Sequence, residues 1–530
     1  MKQYHKRNRA AFFGTLFCIL LSNAFAVVLQ FFKGDVLDYA VAGEIHATVK
    51  YILLLISFIL GEVLFFYLYK RCTARYVVGC ARLLKRDVFE SILHRSYTDY
   101  KARQQGEYIA KLTNEADAIR ERRFQMLPMF FDILFKIVFV STALFLLDWR
   151  LALITIALLS TPLYIPKLIE KRLQNAQTEY LKAVEDTLKK VNDWLNGFEI
   201  IKNFSVEKQI LKRFGASNDL AMEKLRRDTT LGAVSQLITT LISYLSYFIV
   251  LVFAAWLVLK GAFSAGNFFV AIGMIDQLSY PLISLAEIIR QLTAIRPACE
   301  AMERFIAEAS DDAAGNVLQS VNDEIRYRDV SFSYPNGAPI LSHFDFCAKR
   351  GKKYLMQGPS GCGKTTAVNL LLRYHDANEG SITVDGVPIS AFTSTYACMT
   401  VVRQEAVLFC DTLRNNLTLY REIPDETLIA MLRDLGLSRF ADPESLDSII
   451  AENGANLSGG EKKRICLARA LLRDTDVLIL DEPLANLDDA TAGKIEDLLL
   501  KITGKLLLVV SHQFSEEKLR QFDGVLILRR

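Results

Sequence analysis

The residues best suited to do chemistry in this chain are Gly358-Pro359-Ser360-Gly361-Cys362-Gly363-Lys364-Thr365-Thr366. Two glycines five apart followed by Lys and Thr, after the strand-like Lys352-Lys353-Tyr354-Leu355-Met356-Gln357, form a phosphate-binding loop pattern. The glycines let backbone N–H groups wrap phosphates, and a helix opening near Lys364 adds its positive end. Lys364 would neutralise the β- and γ-phosphates, the Thr365 hydroxyl would ligate Mg²⁺, and Cys362 would contribute its backbone alone. A second set completes the chemistry. The apolar run Val477-Leu478-Ile479-Leu480 reads as a buried parallel strand and ends in Asp481-Glu482. Asp481 suits the Mg²⁺ shell, and Glu482 suits the base that polarises an attacking water.

Between these sets lies Leu457-Ser458-Gly459-Gly460-Glu461, followed by a strongly helical stretch from Lys462 to Leu472. Glycines opening a helix make another anion-binding end. The chain thus has two phosphate-grade helix ends but one phosphate loop, which grips a nucleotide from one side. Ser458, Gly459 and Gly460 are therefore expected to close over nucleotide held by the loop of a second chain.

These residues need a scaffold. The alternating apolar residues Ile325, Tyr327, Val330 and Phe332 mark a half-buried strand opening an α/β domain at Glu324. A polar stretch around Ser310–Asn316 reads as a linker. Ahead of it, an uncharged run from Ala10 to Phe32 and five further segments approach the roughly 20 apolar residues needed to cross about 30 Å of hydrocarbon. They are Tyr51–Tyr69, Leu127–Leu147, Leu151–Ile165, Leu231–Leu259 and Asn267–Ile289. The first run is too long for the apolar core of a signal peptide and is expected to be retained. The 51% hydrophobic content and mean hydropathy of +0.21 fit a chain part membrane and part soluble. Lys and Arg outnumber Asp and Glu by 38 to 28 through Ser310, and are outnumbered 25 to 31 beyond it. The basic residues flank the apolar runs, which points to a lipid bilayer and not to nucleic acid. The nine scattered cysteines show no Cys-x-x-Cys pair, so neither disulfide nor structural zinc is expected.

Lys/Arg placement sets the orientation. The N-terminus and the segments between spans two and three and between spans four and five are strongly basic, so they and the domain carrying the phosphate loop are expected in the cytoplasm. Helical periodicity over Val77–Leu93 and Leu181–Leu195 predicts spans that continue as helices beyond the bilayer, with breaks near Tyr97–Gly106 and Gly197–Val206. Glu62, Asp132, Lys136, Asp276 and Glu287 fall inside predicted spans, where facing lipid would cost about 2.5–3.5 kcal/mol each. Asp132 and Lys136, four apart on one face, are expected to pair. Glu62 and Asp276 lack a local partner and are candidates for a solvated substrate path. Ser243, Tyr244, Ser246 and Tyr247 suit either a cavity lining or helix packing.

Taken together these motifs resemble the ATP-binding cassette (ABC) family, and the six spans followed by one cassette resemble its exporter-type half-transporters. The resemblance implies a membrane α-helical bundle of six helices with long cytosolic extensions, joined to an α/β P-loop NTPase domain of ABC type. Leu457–Glu461 matches the family's signature loop, although the fifth residue is more often Gln in exporters. Tyr334 sits where members stack an aromatic ring on adenine. Gln404 matches the loop that senses Mg²⁺ and contacts the membrane domain, and His512 the switch histidine that holds the γ-phosphate. Ala485-Asn486 stand where the family often has Ser-Ala before Leu-Asp. Gly106–Glu115 and Asn196–Lys202 are similar to the sequences flanking the two coupling helices, the second of which, by resemblance, reaches the partner's cassette. By the same resemblance, the final strand pair and helix that often follow the cassette are expected to be missing after Arg530.

The expected organisation is a transmembrane domain over residues 1–308, a linker over 309–323 and the nucleotide-binding domain over 324–530. The resemblance gives ATP and Mg²⁺ as cofactors, with Thr365, Gln404 and Asp481 around the metal and Glu482 and His512 as catalytic residues. It gives nucleotide contacts at Tyr334, Gly358, Ser360, Gly361, Cys362, Gly363, Lys364, Thr365, Thr366, Gln404, Ser458, Gly459 and Gly460. The expected activity is ATP-driven export by a homodimer or heterodimer in the plasma or inner membrane. The alternatives are an importer on the exporter fold and a regulatory subunit of a heterodimer.

Overall fold

The structure is a computed structural model describing all residues except 162–164, 309–315, 335–336, 360, 486, 513 and 529–530. It divides into two compact units, one of residues 1–90 and 105–306, the other of residues 91–104 and 307–530.

The first unit is helical. Four stretches are long and apolar enough to cross a bilayer: Arg9–Val41, Ile45–Leu93, Gln105–Leu147 and Glu207–Leu259. A shorter apolar helix, Trp149–Leu159, carries the start of the predicted fourth segment, whose end runs into undescribed residues. The sixth segment lies within the 30-residue helix Ala265–Ala294. At 1.5 Å per residue the 53-residue Glu207–Leu259 is about 80 Å long, far more than the hydrocarbon thickness. Its first half carries the Lys and Arg residues and its second half the apolar run, so one rod serves both water and lipid. The apolar window of Ile45–Leu93 is wholly unburied, with Leu53, Leu60 and Val63 exposed, as a lipid-facing surface requires.

Ala265–Ala294 packs on Arg9–Val41 and Met126–Leu147, around a core that includes Val140, Leu144, Met274 and Leu278. The approach is closest at Gly266, where a Cβ would lie 2.3 Å from the Gly34 carbonyl oxygen. The Asp38 carboxylate accepts there from the Gly266 N–H at 2.6 Å and the Ser264 hydroxyl at 2.5 Å. The expected Asp132–Lys136 pair is not formed among the described residues. Asp132 instead accepts from the buried Asn23 amide at 2.9 Å, a cross-helix bond that satisfies two groups within the bundle. Glu287 is held by Arg290 and Gln291 of its own helix, both at 2.7 Å. Among the span-five hydroxyls, Ser246 is buried 3.4 Å from Thr161, and Ser243 bonds back to the Thr239 carbonyl, so both serve packing.

The second unit is built on two sheets. An antiparallel sheet runs in the order β2-β1-β4-β5, with β1 Glu324–Ser333, β2 Pro339–Lys349, β4 Glu379–Val384 and β5 Val387–Pro388. A parallel sheet runs β6-β7-β8-β3-β9, with β3 Lys353–Gln357, β6 Met399–Val402, β7 Val477–Asp481, β8 Leu506–Val510 and β9 Gly524–Ile527. Both faces of the parallel sheet are covered, which is why β7 and β8 read as unbroken apolar runs. Val477, Ile479, Leu506, Leu508 and Val510 enter one core; Leu478, Leu480, Leu507 and Val509 enter the other.

Two boundaries differ from those read in the sequence. Residues 316–323 are not a free linker: Leu318 and Val321 are buried in the sheet core, and the Leu318 N–H bonds the Ser394 carbonyl at 2.9 Å. The tip Ser91–Gln104 joins the second unit, because its short helix Tyr97–Lys101 seats there. Tyr97 stacks on Tyr374 with ring centroids 3.7 Å apart, Thr98 donates to the Tyr374 carbonyl, and Arg103 pairs with Glu308 at 3.1 Å. The other predicted break contains the short helix Phe198–Asn203.

Candidate active site

The phosphate loop leaves the carboxyl end of β3 and runs into the helix Lys364–Leu371. In a parallel sheet, strand ends form the crevice where ligands sit. Gly363 caps the helix at φ +98°, and a Cβ there would lie 2.7 Å from Leu341 Cδ2. Gly358, at φ +149°, would place a Cβ 2.5 Å from the Leu528 carbonyl oxygen. Only glycine fits at either turn. Gly361 also has positive φ, Cys362 and Thr366 are buried, and Ser360 lies outside the described residues. Lys364 curls back over the loop, its ammonium donating to the Gly358 carbonyl at 2.6 Å and the Pro359 carbonyl at 3.0 Å. The Cys362 sulfur lies 3.9 Å from the ammonium, a weak acceptor that a phosphate oxygen would readily replace.

Because β7 and β8 neighbour each other and β8 neighbours β3, the residues ending these strands converge. The Thr365 hydroxyl donates to Asp481 Oδ2 at 3.3 Å. Burial raises the Asp481 carboxyl above its ordinary range, opposed by Arg403 first and then by the Thr365 bond, Lys364 and Lys463. A buried carboxylate beside a hydroxyl suits a cation. Glu482 adopts φ +52°, unusual for a side chain of its size, and its N–H is fixed by the Val510 carbonyl at 2.7 Å. Its Oε1 lies 3.7 Å from Nε2 of the half-exposed His512. Gln404, just after β6, is exposed and makes no hydrogen bond to Asp481 or Thr365 among the described residues. Tyr334, just past β1, is half-buried, its ring edge-on to Phe332 at 5.0 Å and to His375 at 5.1 Å.

Ser458, Gly459 and Gly460 open the helix Gly459–Leu471 elsewhere on the unit, and no hydrogen bond joins them to the phosphate loop among the described residues. Ser458 accepts from the Glu461 N–H, while the Glu461 carboxylate accepts from the Ser458 N–H at 2.9 Å. Glu461 is further held by Arg439 at 2.8 Å. The residue that departs from the exporter pattern thus closes a capping box, legible as Ser-x-x-Glu and overlooked beside the glycines.

Sequence comparison gives this arrangement its place. The family described as ABC transporter transmembrane region matches residues 12–282, and the family described as ABC transporter matches residues 341–485. This chain belongs to the ABC transporter family. As an ABC transporter it binds ATP, couples its hydrolysis to transport, and crosses the membrane several times. Among curated relatives, an uncharacterized ABC transporter ATP-binding protein of Bacillus subtilis is 27% identical over 82% of this chain and 77% of its own length. An ATP-dependent lipid A-core flippase of Pseudoalteromonas translucida is 26% identical over 87% of this chain and 81% of its own. The solved structure of a bacterial Atm1-family ABC exporter with ATP bound shares the fold, with a TM-score of 0.81 at 22% identity over 98% of this chain and 93% of that one.

Two side chains near this ABC transporter's acidic pair were missed in the sequence. Arg403, next to Gln404, bonds Asn369 at 2.7 Å on the phosphate-loop helix and lies 5.2 Å from the Tyr374 ring. Lys463 is buried and donates to the Ala485 carbonyl at 3.3 Å. The signal for Lys463 was its place on the apolar stripe with Leu467 and Ala470, three positions that share one helical face.

Proposed function

We propose that this chain is one half of an exporter that pairs with a second copy or a sister chain, with two ATP molecules held between the cassettes. The observation carrying this reading is the separation of parts. Lys364, Thr365, Asp481, Glu482 and His512 gather at the strand ends, while the Ser458 helix terminus faces outward with no nucleotide loop of its own. A second chain supplies what each lacks. Mg²⁺ would be held by Thr365 and Asp481 with Gln404 brought in, and its charge would screen the phosphates. Tyr334 stacks the base, Glu482 orients the attacking water and His512 holds the γ-phosphate side. The phosphate loop, including Ser360, cradles the phosphates.

The N-terminus and cassette lie in the cytoplasm, as the Lys/Arg distribution favours. The membrane domain is assigned to residues 1–308 and the cassette to residues 324–530, with residues 316–323 of the segment between them packed on the sheet. Likeness to lipid A-core flippases and to an exporter fold favours outward movement of an amphipathic cargo.

Moving a two-state bundle from mostly one form to mostly the other takes about 5.5 kcal/mol of differential binding. Charge-assisted hydrogen bonds to the γ-phosphate, about 1.5–3 kcal/mol each, are of that size. The test is Glu482→Gln in the full chain. ATP binding should persist and a stable ATP-bound dimer should accumulate, while turnover falls by about 100-fold or more. Undiminished turnover in that variant would overturn the assignment of the base, and a chain that stays single with Mg-ATP would overturn the pairing. Flux of a fluorescent lipid in sealed vesicles decides direction.

A further inference from the structure

Lys463 is a buried ammonium that the catalytic scheme does not use. Its residue is 5% exposed, on the inner stripe of the helix Gly459–Leu471, five residues after Ser458. Lysine is almost never fully buried unless it is paired. Here the partner is not a contacting carboxylate but the Ala485 carbonyl at 3.3 Å. Desolvation lowers the ammonium's pKa, while Glu482 and then Asp481, within electrostatic reach, favour the charged form.

The Ala485 contact continues a chain of hydrogen bonds. The Ala485 N–H donates to the Glu482 carbonyl at 3.3 Å, and the Glu482 N–H donates to the Val510 carbonyl at 2.7 Å. Glu482 sits between these bonds at φ +52°, a backbone that persists only when its surroundings hold it. A path of two bonds therefore runs from the helix led by Ser458–Gly460 to the backbone of the proposed base, and a third anchors that backbone to β8. If ATP is held between two chains, the Ser458 end serves one nucleotide and Glu482 of the same chain serves the other.

We propose that Lys463 is a positioning residue that ties the setting of Glu482 in one ATP site to the closure of the Ser458 helix over the nucleotide in the other. This rests on the two-chain reading above. A lysine suits the role because a long, charged stem can follow a moving carbonyl, and because releasing it into an apolar interior is costly. Motion of the helix is then passed to the loop and not absorbed by the core.

The test uses the full chain in lipid nanodiscs, with ATP hydrolysis followed against ATP concentration for Lys463→Met and Lys463→Arg. Lys463→Met should lower turnover by about tenfold, roughly 1.4 kcal/mol at the barrier. It should also bring the Hill coefficient from near two, the number of sites, to near one. Lys463→Arg, which keeps charge and reach, should restore cooperativity. ATP affinity and the trapped dimer, measured in the Glu482→Gln background, should be unaltered by Lys463→Met, which separates positioning from loss of fold. Unchanged turnover and cooperativity in Lys463→Met, or an arginine variant as impaired as the methionine one, would overturn the proposal. Absence of the trapped dimer in Glu482→Gln alone would instead remove the two-chain reading beneath it.

Discussion

Gly363 shows how much of a site one atom can decide. Its φ of +98° disfavours any L side chain, and the added methyl of alanine would lie 2.7 Å from Leu341 Cδ2 and 3.1 Å from the Ile340 carbonyl oxygen. Gly363→Ala should therefore cost about 1–2 kcal/mol in backbone strain alone. It also displaces the helix end that faces the phosphates, so ATP affinity should fall by about tenfold or more. Nucleotide titration and a melting curve of the full chain check both. Wild-type affinity and melting temperature would show that the turn tolerates a side chain. The phosphate loop and the Asp481-Glu482 strand end were legible because their chemistry demands fixed residue types at fixed spacing. The Glu461 cap and Lys463 were not read, for a different reason. Each has an ordinary structural meaning, a helix cap and a lysine on the inner stripe of its helix, and neither meaning by itself points to the site.

At the scale of elements, β7 was legible from composition because, covered on both faces, it has no polar position ahead of Asp481 to confuse the pattern. The seat of the tip helix was not. Tyr97 and Tyr374 are 277 residues apart, and nothing in the periodicity of either segment predicts that their rings stack 3.7 Å apart. The stack has neighbours that lead toward the site. Arg403 lies 5.2 Å from the Tyr374 ring, bonds Asn369 on the phosphate-loop helix at 2.7 Å, and is the strongest opposing influence on Asp481. An aromatic pair contributes about 0.5–1.5 kcal/mol beyond burial, enough to weaken docking without unfolding either part. Tyr97→Ala should therefore leave ATP hydrolysis within about twofold, about 0.4 kcal/mol at the barrier, while ATP no longer shifts distances between spin labels on the membrane helices. Tyr97→Phe, which keeps the ring, should restore the shift. A full ATP-driven distance change in Tyr97→Ala would show that the tip is held by other contacts.

For the whole molecule, the question is why a bilayer-crossing bundle keeps its charges. Among the charges inside the predicted spans, Asp132 is satisfied by Asn23 and Glu287 by its own helix. Glu62 and Asp276 have no hydrogen bond or ion pair among the described residues, and Asp276 lies within electrostatic reach of the Tyr247 hydroxyl on the neighbouring long helix. Facing lipid, each carboxylate would cost about 2.5–3.5 kcal/mol, a large share of the 5–15 kcal/mol that holds a domain folded. Retaining two such groups without partners is reasonable only if water and cargo reach them. Neutralising them should then cost transport and not stability. Glu62→Gln and Asp276→Asn should each reduce ATP-driven flux in sealed vesicles by about fivefold or more, near 1 kcal/mol at the transport barrier. Melting temperature should be level or raised, since a desolvation penalty is removed. Unchanged flux in both variants would mean that the cargo passes elsewhere, whereas a lower melting temperature in either would show that the carboxylate belongs to the packing of the bundle.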